Sequence, residues 1–186
     1  MLQIALIFAI QHLHSKGLPM PHIDITQITT TQQIDAARAL VRDLFAFSLT
    51  QDPNAGEAHA FAGLEDQLAQ LPGIYAPPTG GFLLATVDGA PAGCVAFFGH
   101  DTALCEVKRM YVKPEFRGLQ IGEKMISDLL SAVKTQGYIK VILDTFHTFK
   151  AAQHIYEKAG FSYVPPRITL PPEHEGKVVF MEMTLN

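Results

Sequence analysis

The chain has 186 residues, enough for one domain with a core of its own. Apolar residues make up 48% and charged residues 17%, a globular balance that excludes disordered and fibrous classes. The formal net charge is −4 with no basic run or stripe, which argues against a nucleic-acid or anionic-membrane partner.

Residues 1–13 are apolar but too short to span a membrane. They lack the basic leading region and small-residue cleavage site of a signal peptide. Ser15 to Pro21 reads as a linker, and Met20 opens a segment that would make a sensible start. Residues 1–19 are therefore expected to be an extension, of the kind an upstream start site adds. A single domain over 20–186 in a cytoplasmic protein is expected to follow.

His22 to Thr29 alternates, with Ile23, Ile25 and Ile28 among polar residues, and predicts a first strand. Thr30 or Thr31 supplies an N-cap. Ile34, Ala37, Leu40, Val41, Leu44 and Phe45 then recur at helical spacing to about Ser48. Residues 51–56 read as a loop, and a second helix is predicted over Ala58 to Leu71, closed by Pro72-Gly73. Gly81 to Val87 and Ala92 to Phe98 are predicted strands. The Asp88-Gly89 pair between them is a hairpin signal.

Thr102 to Val112 is the next strand, and its parity changes. Cys105 and Val107 are apolar at odd positions, Met110 and Val112 at even ones. A regular strand keeps its phase, so an inserted residue, a β-bulge, is predicted near Lys108–Arg109. A bulge there would splay this strand from a parallel neighbour. It would leave backbone amides for a ligand arm to pair with.

Pro114 to Gly122 then forms a loop before a helix whose buried stripe is Ile121, Met125, Ile126, Leu129, Leu130 and Val133, ending near Gly137. A helix N-terminus carries unpaired N–H groups and positive potential, so it can hold an anion. Gly118 and Gly122 permit close backbone approach, and Arg117 adds a fixed cation. A phosphate or pyrophosphate site is the natural reading. Ile139 to Thr145 is a nearly continuous apolar strand, as expected of one covered on both faces. Ala151 to Ala159 is a short helix stopped by Gly160. Pro165 to Gly176, with four prolines, is a loop, and Lys177 to Leu185 a final strand.

Cys94 and Cys105 lie in strands without zinc spacing and read as small buried hydrophobes. His12/His14 and His147/His154 lack a carboxylate pair at useful spacing, so no metal is expected. Neither a Gly-x-Ser-x-Gly elbow nor a Gly-x-x-x-x-Gly-Lys-Ser/Thr loop occurs, which sets aside hydrolase and P-loop readings.

The residues from Gly81 to Leu185 resemble the GCN5-related N-acetyltransferase family. Its pyrophosphate loop, Gln/Arg-x-x-Gly-x-Gly/Ala, is matched at its ends by Arg117 and Gly122, with Gln120 in place of the middle glycine. Glu106-Val-Lys-Arg-Met-Tyr-Val-Lys-Pro looks like its central strand. Ala152-x-x-x-Tyr156-x-x-x-Gly160-Phe161 looks like its second conserved helix. The resemblance implies an α/β (α+β) fold: a mixed, mostly antiparallel sheet, a central parallel pair splayed by a bulge, and helices on both faces. It implies acetyl-CoA as co-substrate and an amine acceptor, with the chain a monomer or homodimer.

The family's pattern would place the pantetheine arm against Met110, Tyr111 and Val112. It would place the pyrophosphate on Arg117, Gly118, Leu119, Gln120, Ile121 and Gly122, and the thiol end near Ala152 and Tyr156. The helix–loop–helix would line the acceptor site, with Phe47, His59 and Phe61 as candidates for its wall or for core. Tyr156 would protonate the leaving thiolate, since phenol and thiol have comparable pKa values; its other reading is a core tyrosine. Glu106 would take the amine's proton directly or through water, or else be a strand residue paired with Lys108 or Arg109. The Met110 N–H would polarise the thioester carbonyl. Phe149 stands where many members carry an asparagine that holds the cofactor arm. The function expected is direct acetyl transfer to a primary amine of a small molecule or peptide in a ternary complex. The alternative is a non-catalytic acyl-CoA-binding or regulatory domain of the same fold.

Overall fold

The computed structural model describes residues 20–52 and 63–185. The expected extension, residues 1–19, and the first part of the expected second helix, with His59 and Phe61, lie outside the described residues. The elements are β1 (Ile23–Gln27), α1 (Thr31–Gln51), α2 (Leu64–Ala69), β2 (Gly80–Val87), β3 (Ala90–Gly99), β4 (Leu104–Val112), α3 (Ile121–Thr135), β5 (Lys140–Phe146), α4 (Lys150–Ala159), β6 (Ser162–Val164) and β7 (Val178–Thr184).

Local sequence explains the ends. Thr30 caps α1: its hydroxyl accepts from the Gln33 N–H at 3.3 Å, while the Gln33 side-chain oxygen accepts from the Thr30 N–H at 3.0 Å. Asp88 and Gly89 both take positive φ, 49° and 83°, the primed turn that matches strand twist. Gly160 closes α4 in the left-handed region at φ 104°.

One sheet runs β1-β2-β3-β4-β5-β7-β6. β4 and β5 are parallel; the other neighbours are antiparallel. One face packs on α3, where Met125, Ile126, Leu129 and Val133 meet Phe97, Val141, Leu143 and Met181. The other packs on α1, where Leu40, Val41 and Leu44 meet Phe82, Cys94 and Tyr111. Helices thus cover both faces, as expected. The short strand β6 was not foreseen. Three residues between Phe161 and Pro165 are too few to show alternation, and β6 exists by pairing with β7.

The phase change in β4 is a bulge where it was expected. The ladder runs Ala96↔Lys108 and then Cys94↔Tyr111, so β4 carries the extra residue. Arg109 takes it up at φ 59°. Cys105, Val107, Met110 and Val112 consequently all face α3, while Tyr111 faces α1. Cys94 braces the kink, its thiol donating to the Arg109 carbonyl at 3.2 Å. Burial pushes that thiol up to about 12, so it keeps the proton it donates.

The bulge also ends the parallel ladder. β4 and β5 pair from Leu104↔Lys140 to Val107↔Leu143 and no further. β5 continues on β7, from Asp144↔Phe180 to Phe146↔Val178. Beyond Val107 the sheet is therefore split between two strands that run in the same direction.

Candidate active site

The split opens into a cavity of about 920 Å³. Its floor is the α1 side of β4 and β5, with Glu106, Lys108 and Asp144 on it. α1 and α2 border it through Leu44, Ser48 and Gln67. The β6–β7 loop closes it through Ile168, Leu170 and His174. Met110, Ala152 and Tyr156 reach its wall at the split itself. The sequence signals thus converge: the bulge on β4, the glutamate before it and the tyrosine of α4 line one space.

Glu106 is half-buried and lies between Lys108 Nζ at 2.6 Å and His100 Nε2 at 2.7 Å. Lys108 also pairs with Asp144. Burial pulls the Lys108 ammonium down, but the charges of Asp144 and Glu106 outweigh it and leave the group above the ordinary lysine range. Glu106 therefore has both of its expected features, a place on the cavity and a partner in Lys108. His100 and Asp144 extend that pair into a network that the sequence did not announce. Asp144 alone left a trace, as the one acid in the apolar run of β5.

Tyr156 is 4% exposed and packs on Phe161 with the rings tilted and their centroids 5.8 Å apart. Burial, and then the charge of Asp144, push its phenol well above the ordinary range, so it holds its proton throughout neutral pH. Tyr111 faces the other way, into the α1 core, 6.3 Å from the Phe47 ring. Only its backbone is left for the split. Phe47 is partly buried against the same core. It packs on Phe149 at 5.3 Å and lies under the Arg117 guanidinium at 5.0 Å. Phe149, in turn, lies against Phe146 at 5.4 Å and lines the cavity. An asparagine amide is thus replaced by aromatic packing.

The loop before α3 has Gly118 at φ 88° and Gln120 at φ 59°, both on the surface. Leu119 and Ile121 turn inward onto the α3 core. Gln120 is the N-cap of α3 and makes no side-chain cap bond, which leaves the first-turn N–H groups to other acceptors. Arg117 donates to the Val112 carbonyl at 3.2 Å, tying the loop to the end of β4. Gly122 serves packing. A Cβ there would fall 2.7 Å from Ile155 Cδ1 and 3.2 Å from Met110 Cε, so its smallness seats α3 against α4 and β4.

Gln120 carries a strain that glycine would not, about 1 kcal/mol for a left-handed L-residue. Gln120→Gly is expected to melt no lower than the parent, because glycine takes that φ without strain. Thermal melts check this.

Among the described residues no cluster of three or more His, Cys, Asp or Glu is placed to hold a metal ion. No described helix is long and apolar enough to cross a membrane.

The model of the acetyltransferase (GNAT) family matches residues 40–161. An uncharacterized N-acetyltransferase of Schizosaccharomyces pombe is 31% identical over 171 residues, covering 89% of this chain and 96% of that protein. Two solved structures share the fold at low identity. An acetyltransferase of Streptococcus agalactiae superposes with a TM-score of 0.68 at 18% identity, over 88% of this chain and 98% of that one. The PaiA N-acetyltransferase of Thermoplasma acidophilum, solved in complex with coenzyme A, gives 0.67 at 16%, over 88% and 99%.

Proposed function

Since the chain belongs to the acetyltransferase (GNAT) family, we propose that it moves an acetyl group from acetyl-CoA to a primary amine of a small molecule or peptide, by direct transfer in a ternary complex. The observation that carries this reading is the split itself. The β4–β5 ladder stops at Val107↔Leu143, and the opening beyond it leads into a cavity lined by Glu106, Met110 and Tyr156.

The residues fit the donor. The α3 N-terminus lies just past the end of β4, with Gly118 turned into the left-handed region and Gln120 offering no side-chain cap. N–H groups of Ile121 and Gly122 there, with Arg117, suit a pyrophosphate. Met110, Tyr111 and Val112 offer strand backbone to the amides of the pantetheine arm. Bound acetyl-CoA would supply the activated acyl group as a thioester.

The chain's own groups then have separate tasks. Met110 donates its N–H to the acyl oxygen as negative charge develops there. Glu106, held between His100 and Lys108, accepts the amine's proton directly or through water. Tyr156 returns a proton to the departing sulfur. Burial keeps the phenol protonated at neutral pH, and the same raised pKa makes it a weaker acid toward the thiolate than a matched phenol–thiol pair. Cavity and donor site meet at the split, so both substrates fit together and no acyl-enzyme is needed.

The test is thiol release from acetyl-CoA against an unbiased amine panel, with acetylated product identified by mass. Release in step with N-acetylation supports the reading. Coenzyme A binding without transfer to any amine would leave the non-catalytic binding domain in its place.

A further inference from the structure

His174 has no task in the chemistry above. It sits in the proline-bearing loop between β6 and β7 and is 2% exposed. It lines the cavity, and among the described residues neither ring nitrogen has a hydrogen-bond partner. Its backbone is satisfied: its N–H donates to the Pro171 carbonyl at 2.9 Å, and its carbonyl accepts from the Lys177 N–H at 3.1 Å. The loop is pinned on both sides. Lys177 pairs with Asp52 at the end of α1 at 2.9 Å, and its carbonyl accepts from the His147 N–H at 2.8 Å. The ring is thus held in place by the backbone around it.

A buried polar group without a partner costs about 1–3 kcal/mol, and folded proteins leave few of them. The same stretch of cavity wall is mostly apolar, with Ile168, Leu170, Pro171, Val178 and Phe180; its polar members are Arg167, which pairs with Glu182, and Thr169. An imidazole in that company has no partner among the described residues. The acidic groups of the cavity, Glu106 and Asp144, are on the strand floor, a separate element, and each pairs with Lys108.

We propose that His174 recognises the acceptor, its ring N–H donating to an oxygen carried away from the reacting amine. This rests on the acetyltransferase reading and deepens it. The acceptor is a primary amine with an apolar body and a distal hydroxyl or carboxylate. The apolar wall takes the body, the floor takes the amine, and His174 takes the oxygen. A hydroxyl and a carboxylate share the chemistry His174 reads, since both accept a hydrogen bond.

The experiment compares hexylamine, 6-aminohexan-1-ol and 6-aminohexanoate as acceptors for the full chain, His174→Leu and His174→Gln. Melting temperature and coenzyme A calorimetry on each protein serve as folding controls. The full chain is expected to acetylate one or both oxygen-bearing amines with a KM about tenfold below that of hexylamine, the worth of one buried hydrogen bond. His174→Leu is expected to erase that difference in KM, and His174→Gln, which keeps an N–H donor, to restore part of it. The two oxygen-bearing amines separate hydroxyl from carboxylate. A full chain that prefers hexylamine, a His174→Leu variant that keeps the preference, or failure of all three amines while other amines are acetylated would overturn the proposal. Failure of every amine in the broad panel would instead remove the acetyltransferase reading.

Discussion

Tyr156→Phe is expected to lower turnover by about 10²–10⁴, the range for loss of a positioned general acid, with coenzyme A affinity little changed. The substitution keeps the ring that packs on Phe161 and removes only the hydroxyl at the split. Single-turnover kinetics and calorimetry on the folded variant check it. Near-parental turnover with chemistry rate-limiting would make Tyr156 a core residue alone. The displaced phenol carries a second signature. Its folded pKa lies above the unfolded value of about 10, so its contribution to stability is complete below that pH. That contribution is lost as pH rises toward the folded value, because the unfolded chain alone ionises there. Melting temperatures above pH 10 should therefore fall more steeply in the parent than in Tyr156→Phe.

Arg117→Ala is the second large effect. The guanidinium lies over Phe47 and bonds the Val112 carbonyl, so it is placed at the junction of β4 and the α3 loop before any ligand arrives. A preplaced cation gives up little side-chain freedom on binding. The alanine variant is expected to bind coenzyme A about 5- to 150-fold more weakly, or about 1–3 kcal/mol, with a modest loss of stability from the missing stacking. Because charge is involved, the difference should shrink as salt is raised. Equal affinities in calorimetry at low salt, in a folded variant, would remove Arg117 from the pyrophosphate site.

Much of this was legible in the residues because it was local. A strand that changes parity must bulge, and the Cys105–Val107 to Met110–Val112 switch placed the bulge correctly. Asp88-Gly89 named its own turn, and the α3 stripe named its own buried face. What failed to show was assembled from distant pieces. His100, just past β3, reaches Glu106, and Asp144 of β5 reaches Lys108 of β4, and only register brings Asp144 to Lys108. His174 gave no sequence signal, since a histidine in a proline loop is ordinarily exposed, and its burial is a property of the folded chain. Phe47, open between wall and core in the sequence, is partly buried against the α1 core, with Phe149 and Arg117 over it. Gly122 read as a clearing for a phosphate, and its Cβ direction is filled by Ile155 and Met110.

The split between β4 and β5 is the centre of this account, and hydrogen exchange with and without acetyl-CoA tests it directly. Backbone amides of Met110 to Val112 and of Gly118 to Gly122 should exchange more slowly in the complex. The paired part of the same strand, Leu104 to Val107, should change little because its ladder is already closed. Saturating acetyl-CoA that protects neither segment, or that protects a different edge of the sheet, would contradict the placement of the donor in the split.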